Sequence, residues 1–209
     1  CGVTNSHHFG AAAYHLARRG LKVLGLEQHV PCHDQGSSHG LTRIIRLAYY
    51  EHPAYVPLLR RAFALWRELE AAAGERFLHI TGAVDAGPPG SRVFDGSRHS
   101  CEVHHLSHEV LSGAELTSRF PGFRLPANYR AVLQPDGGFL EPERCIEAHV
   151  RLAIGYGANM ESGSRVVGWE PSGSGVIVRT DNASYAAPHL VVCAGAWTSR
   201  WVPSLAGVL

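Results

Sequence analysis

The sequence predicts an α/β fold, in which a largely parallel sheet packs against helices and is interrupted by an inserted β-rich portion. Three observations carry that expectation. Residues 5–28, "NSHHFGAAAYHLARRGLKVLGLEQ", read as a helix followed by a short buried strand. Helix and strand patterns return from residue 144 to the end. Between residues 78 and 143 the texture changes to short β-like runs around one polar helix, as a second layer entering the first would produce.

The elements follow in order. Residues 9–20 place Ala11, Ala12, Leu16 and Ala17 on one helical face and stop at Gly20, where a C-cap glycine belongs. "LKVLGLE" reads as a strand ending in Glu27. After the loop "CHDQGSSHG", the run "TRIIRLAYY" suits either strand or helix, and "HPAYVPLLRRAFALWRELEAAAG" is a helix with Leu58, Leu59, Phe63, Trp66 and Leu69 at helical spacing. "HITGAVDAG", "CEVHHLS" and "RAVLQPDGGFL" are expected as strands, with "SGAELTSRFPG" the polar helix among them. "EPERCIEAHVRLAIGYGA" restores a helix, with Pro142 in its first turn and Gly157 after its end. "SRVVGWE", "GVIVRT", "ASYAA" and "HLVVCAGAW" close the chain as strands. The expected domains are therefore 1–77 with 144–209, and 78–143.

Composition narrows the function. The 209 residues are 45% hydrophobic and 18% charged, a globular balance with enough chain for one large or two small cores. A net charge of +1, from 19 basic and 18 acidic residues without long runs, offers no footprint for nucleic acid or a membrane surface. No apolar stretch approaches the roughly 18 residues of a spanning helix. A small-molecule partner is expected. Five widely spaced cysteines, 1, 32, 101, 145 and 193, suit reduced thiols and a cytoplasmic location better than a disulfide frame. The group Cys101, His104, His105 and His108 lacks the CxxC or HxxxH spacing of a closed metal site and is expected as polar surface; no metal is assigned. Starting at Cys1 and stopping at "SLAGVL", the chain reads as cut at both ends.

Helix, Gly20, strand and terminal Glu27 are the downstream parts of a dinucleotide-binding unit, in which an acidic residue at the strand's end accepts hydrogen bonds from ribose hydroxyls. The bland reading of Glu27 is a charged residue leaving a strand. The Gly-x-Gly-x-x-Gly loop that should precede the helix is absent: its slots fall on Thr4, Ser6 and Phe9, with Gly2 and Gly10 out of register. Downstream, "GSSHGLTRIIR" gathers His39, Thr42, Arg43 and Arg46 beside two glycines, which suits carboxylate or anion binding, or else a basic solvated loop. Arg43 and Arg46, separated by Ile44 and Ile45, should lay cationic forks against buried surface and so need anionic or dipolar partners.

That segment, with "AYHLARRG", "VLGLEQ", "YVPLLRRAFALW", "TGAV", "RFPGFRLP", "DGGFLEPERCIEA" and "LVVCAGAWTS", resembles the N-terminal half of the FAD-dependent monomeric sarcosine oxidase and N-methyltryptophan oxidase family, including the peroxisomal sarcosine/pipecolate oxidases. The resemblance implies a Rossmann-like FAD-binding domain, its first strand and glycine loop incomplete, with part of a substrate domain inserted. It implies Glu27 on the adenosine ribose, Ser38, His39, Thr42 and Arg43 along the flavin, Arg46 on the substrate carboxylate, and a backbone contact of Val166 to adenine. Cys193, Ala194, Gly195 and Trp197 would pass beside the cofactor. Ordinary strand core is the competing reading of Val166 and Cys193, and plain packing that of Trp197.

The implied chemistry is oxidation of the C–N bond of a secondary amine or N-methyl amino acid, with oxygen reduced to hydrogen peroxide. The family's flavin-attaching cysteine, oxygen-activating lysine and second carboxylate-binding lysine belong to its C-terminal half, which would also carry any peroxisomal signal. An incomplete oxidase chain is the leading expectation. A non-catalytic remnant or binding module that does not hold FAD is the alternative, and an NAD-dependent dehydrogenase the third, which leaves "GSSHGLTRIIR" unexplained.

Overall fold

Backbone hydrogen bonding and the alternation of buried side chains set seventeen helices and strands along residues 6–207, the part that the computed structural model describes, with side chains from His8 onward. In chain order they are α1 (Ser6–Ala17), β1 (Leu24–Glu27), β2 (Arg43–Ile45), α2 (Val56–Ala73), β3 (Leu78–Ile80), β4 (Ala83–Gly87), α3 (Arg92–His104), β5 (Glu109–Ser112), α4 (Gly113–Arg119), β6 (Arg130–Gln134), β7 (Gly138–Leu140), α5 (Pro142–Gly155), β8 (Asn159–Ser162), β9 (Val166–Ser172), β10 (Gly175–Thr180), β11 (Ser184–Ala187) and α6 (Thr198–Trp201). Among the described residues no helix is long and apolar enough to cross a membrane.

The chain divides into two compact units, Cys1–Leu41 with Glu141–Leu209, and Thr42–Leu140. The second boundary lies close to the expected 143/144. The first falls at 41/42, not 77/78, so residues 42–77 belong with the inserted portion. The physical reason is strand pairing: β2 and β3 both hydrogen-bond to β7, which ties the segment from Arg43 to Ile80 to the end of the insertion.

In the first unit β1 and β8 pair in parallel, Leu24 opposite Asn159 and Glu27 opposite Ser162. Helices α1 and α5 pack on each other, and Gly10 makes that approach possible: a Cβ there would stand 3.2 Å from His149 Cβ. Phe9 packs inward onto the strand, where a Cβ on Gly25 would lie 2.7 Å from the Phe9 ring and 2.8 Å from Met160 Sδ. Glycine on the strand thus gives the close helix–strand approach that a loop glycine was expected to provide. Strands β9, β10 and β11 form an antiparallel meander, and Val166 and Val178 share an apolar cluster with Leu26.

The second unit holds two antiparallel sheets, in the orders β2-β7-β3 and β4-β6-β5. Ala48, Val56, Phe94, Cys101, Leu106 and Val132 form one of its cores, and Leu111, Leu116, Ala131 and Leu133 another. Helix α2 ends on Gly74 at φ 69°, and the turn beyond is tied back by the Glu70 carboxylate, which accepts hydrogen bonds from Phe77 N at 2.9 Å and Leu78 N at 2.8 Å.

Two expectations are corrected here, and one strand is added. "CEVHHLS" lies mostly in α3, because Ser91 caps the helix by accepting from Phe94 N, and Phe94, Ser97 and Cys101 are buried at helical spacing. "HLVVCAGAW" forms no strand: among the described residues nothing pairs with 189–194, and without a ladder an extended segment is no β-strand. "NMES", which carries no strand pattern of its own, forms β8, since β1 lies beside it to pair with it.

Candidate functional site

Strand β1 delivers Glu27 to its carboxyl end, the position where ligands gather in open α/β sheets. The residue is only 3% exposed. Oε1 accepts a hydrogen bond from His29 N at 3.0 Å, and His33 Nε2 stands 3.8 Å from the same oxygen. Burial holds the His33 imidazole below its usual pKa, with nearby His29 adding to this and Glu27 opposing it. Oε2 is buried without a hydrogen-bond partner among the described residues. An orphaned carboxylate oxygen is costly to bury, so this one is an acceptor awaiting a donor.

Beside Glu27 the space is tight. A cavity of about 20 Å³, lined by Phe9, Glu27, Pro31, Ile146, Val150 and Met160 among others, has room for one water. Val166 starts β9 in contact with Leu26, the neighbour of Glu27. An open cleft of about 370 Å³ runs between Asp34–Ser37 and the turn Gly195–Trp197. That turn is set by Gly195 at φ 53°, by Trp197 N donating to Ala194 O, and by Thr198 Oγ1 donating to Gly195 O at 2.7 Å. Ala194 is wholly buried, and burial pushes the half-buried Cys193 thiol upward in pKa. Ser38 is buried in the loop after β1.

His39 is exposed, and its Nδ1 lies 2.8 Å from Glu143 Oε1, which also accepts from Gly40 N at 3.2 Å. Glu143 was missed in the sequence, although an acid in the first turn of a helix is a recognisable anion-to-dipole signal. His33 was missed too, since nothing in "CHDQG" says that the loop folds back on β1.

Thr42, Arg43 and Arg46 belong to the second unit. Arg43, on β2 opposite Leu140, is exposed and donates to Thr42 O at 2.9 Å, so the expected buried fork is corrected for this residue: strand β2 turns Ile45 inward and leaves Arg43 and Ile44 outside. Arg46 does lie against buried surface. Its Nε is 3.4 Å from Asp85 Oδ2, with the two side chains 13% and 12% exposed. Asp85 escaped notice because a strand acid between apolar residues carries no motif. The glycine-loop slots Thr4 and Ser6 lie outside the residues whose side chains are described, whereas Phe9 lies within them.

Residues 10–209 match the family of FAD dependent oxidoreductases, DAO. Monomeric sarcosine oxidase of Streptomyces avermitilis is 40% identical over 195 residues, which are 93% of this chain and 51% of that protein. N-methyl-L-tryptophan oxidase of Citrobacter koseri is 38% identical over 204 residues, 97% of this chain and 55% of that one. Among solved structures, the open form of NikD, an unusual amino acid oxidase essential for nikkomycin biosynthesis, superposes with a TM-score of 0.86 at 29% identity, over 98% of this chain and 52% of that chain. The chain spans about half the length of the curated relatives it matches.

Proposed function

This chain belongs to the family of FAD dependent oxidoreductases, and from that premise we propose that it works in the oxidation of a secondary, N-methyl amino acid at its C–N bond. The orphaned Oε2 of Glu27 carries the reading. A ribose presents two hydroxyl donors; with Oε1 already taken by His29 N, Oε2 has the free lone pairs to accept one. Val166, which shares an apolar cluster with Leu26, is the residue we assign to a backbone contact with the adenine. The cleft between 34–37 and 195–197, which Gly195 and Trp197 line, offers further space in the same unit, and Ser38, His39, Cys193 and Ala194 adjoin its lining in sequence.

Glu143 holds the His39 ring by its contact with Nδ1, and that ring is the group we assign to the flavin side. The exposed guanidinium of Arg43 is the cationic partner for polar cofactor edges. Arg46 anchors the substrate carboxylate, which its planar fork can bind through two oxygens. The chemistry that bound FAD supplies is acceptance of two electrons from the amine, passed on to oxygen to give hydrogen peroxide.

A second reading, a chain that does not hold FAD, is favoured by one observation. The Phe9 ring occupies the space beside Gly25 and lines the cavity at Glu27, leaving there the volume of one water. Titration with ADP and with FAD separates the two readings. Binding of both, weakened about 10- to 100-fold by Glu27→Ala, is expected for a lost hydrogen bond to a charged acceptor. Binding that Glu27→Ala leaves untouched would remove the ribose role, and absence of all binding would favour the second reading. Peroxide release on adding sarcosine tests the activity itself.

A further inference from the structure

Arg46 and Asp85 stand in a buried polar cluster of the second unit. The guanidinium of Arg46 lies 5.1 Å from the centre of the Tyr49 ring and 5.4 Å from that of Tyr50. Its contact with Asp85, Nε to Oδ2 at 3.4 Å, is an ion pair without a hydrogen bond, and among the described residues the buried Nε has no other acceptor. Asp85 is the better-fixed partner. It sits in mid-strand opposite Val132 and its Oδ2 accepts from the fully buried Ser97 hydroxyl at 2.9 Å. Gln134 Oε1 accepts from Leu47 N and Ala48 N, the residues after Arg46, while among the described residues its buried Nε2 meets no partner, and neither does Glu51 Oε2. Buried polar atoms are seldom left unmatched, so two spare donors and one spare acceptor here mark groups that meet something further.

Resting on the reading of Arg46 as carboxylate anchor, we propose that Asp85 is a positioning residue that holds Arg46 until a substrate carboxylate replaces it as counter-ion. Asp85 engages Arg46 at one nitrogen, and loosely; a free carboxylate can meet the guanidinium with both oxygens and is the stronger partner. Arg46 follows the last residue of β2, outside the ladder, whereas Asp85 is held within one.

Once Arg46 has turned to the substrate, Asp85 is left buried with Glu51 and the Cys101 thiol as its ionisable neighbours and Ser97 as its hydrogen-bond donor. It then takes one proton from solvent, carboxylate to carboxylic acid, and no other bond changes. Burial already raises its pKa with Arg46 in place, so losing the cation raises it further. Substrate binding is therefore proton-linked and tightens as pH falls toward the Asp85 range while the substrate carboxylate stays ionised.

The test is calorimetric titration of the FAD-loaded protein with sarcosine in two buffers of different ionisation heat, alongside KM and kcat. Proton uptake is expected for the unmodified protein. Asp85→Asn, which keeps the shape and the Ser97 contact, should bind about fivefold tighter, the scale of a part-exposed ion pair, without proton uptake and with kcat unchanged. Ser97→Ala, a second variant should Asp85→Asn fail to fold, should fall between the two. If Arg46→Gln loses sarcosine while Asp85→Asn binds no tighter and still takes up a proton, the anchor stands and the proposal falls. If Arg46→Gln binds sarcosine like the unmodified protein, or the unmodified protein binds none, the anchor reading falls and takes the proposal with it.

Discussion

At the scale of single residues, the contact of Phe9 with Gly25 decides how the helix meets the strand. A methyl group on Gly25 would sit 2.7 Å from the Phe9 ring, so Gly25→Ala should cost about 1–3 kcal/mol, the usual price of overpacking. In a Phe9→Ala background Gly25→Ala should cost less, Met160 Sδ at 2.8 Å being the contact that remains, and a double-mutant cycle by thermal melts reads the coupling directly; additive effects would refute the contact. His33 gives a pH signature of its own. With its folded pKa held below the unfolded value, the unfolded chain binds the proton more readily, and stability should fall as pH drops through the ordinary histidine range near 6.5. His33→Asn should flatten that part of the profile in urea titrations. Neither effect is legible in the residue types: Phe9 looks like damage to a glycine loop, and only its burial on Gly25 shows what it packs against.

At the scale of elements, Glu70 closes α2 onto β3. Burial pushes its carboxyl up in pKa, but hydrogen bonds from Leu78 N, Arg67 and Phe77 N outweigh that and hold it below the ordinary value. The contribution is thus present above the unfolded carboxylate pKa near 4.5 and is lost as pH falls through the folded value. Glu70→Ala leaves the amides of two fully buried residues, Phe77 and Leu78, without acceptors and should cost about 2–4 kcal/mol in denaturant unfolding, with a smaller acid dependence than the parent; an unchanged melt would refute the role. Helices α1, α2 and α5 were legible because periodic apolar faces and flanking glycine or proline mark them locally. Strand β8 and the segment 189–194 were not, because a strand is made by its partner, and "NMES" has one where "HLVVC" has none among the described residues.

At the scale of the molecule, the second unit has its own cores and both of its sheets are complete within residues 42–140. That segment expressed alone should therefore unfold cooperatively on heating, and a broad, non-cooperative melt would show that it depends on the rest. Glu27, Ser38, His39, Val166 and the turn at Gly195 come from two stretches of chain that the parallel pairing of β1 and β8 brings into the first unit, whereas Thr42, Arg43 and Arg46 are carried by the other.

By itself the sequence determined the α/β class, the inserted β portion, the strand ending in Glu27 and the family resemblance in "GSSHGLTRIIR", because periodicity, capping residues and contiguous motifs are local properties of a chain. The tertiary structure alone decided the domain boundary at residue 41, the packing of Phe9 on Gly25, the unmet oxygen of Glu27 and the pairing of Arg46 with Asp85. Each of these depends on residues far apart in sequence sharing a buried space, and burial is what turns an ordinary carboxylate or ring into a constraint.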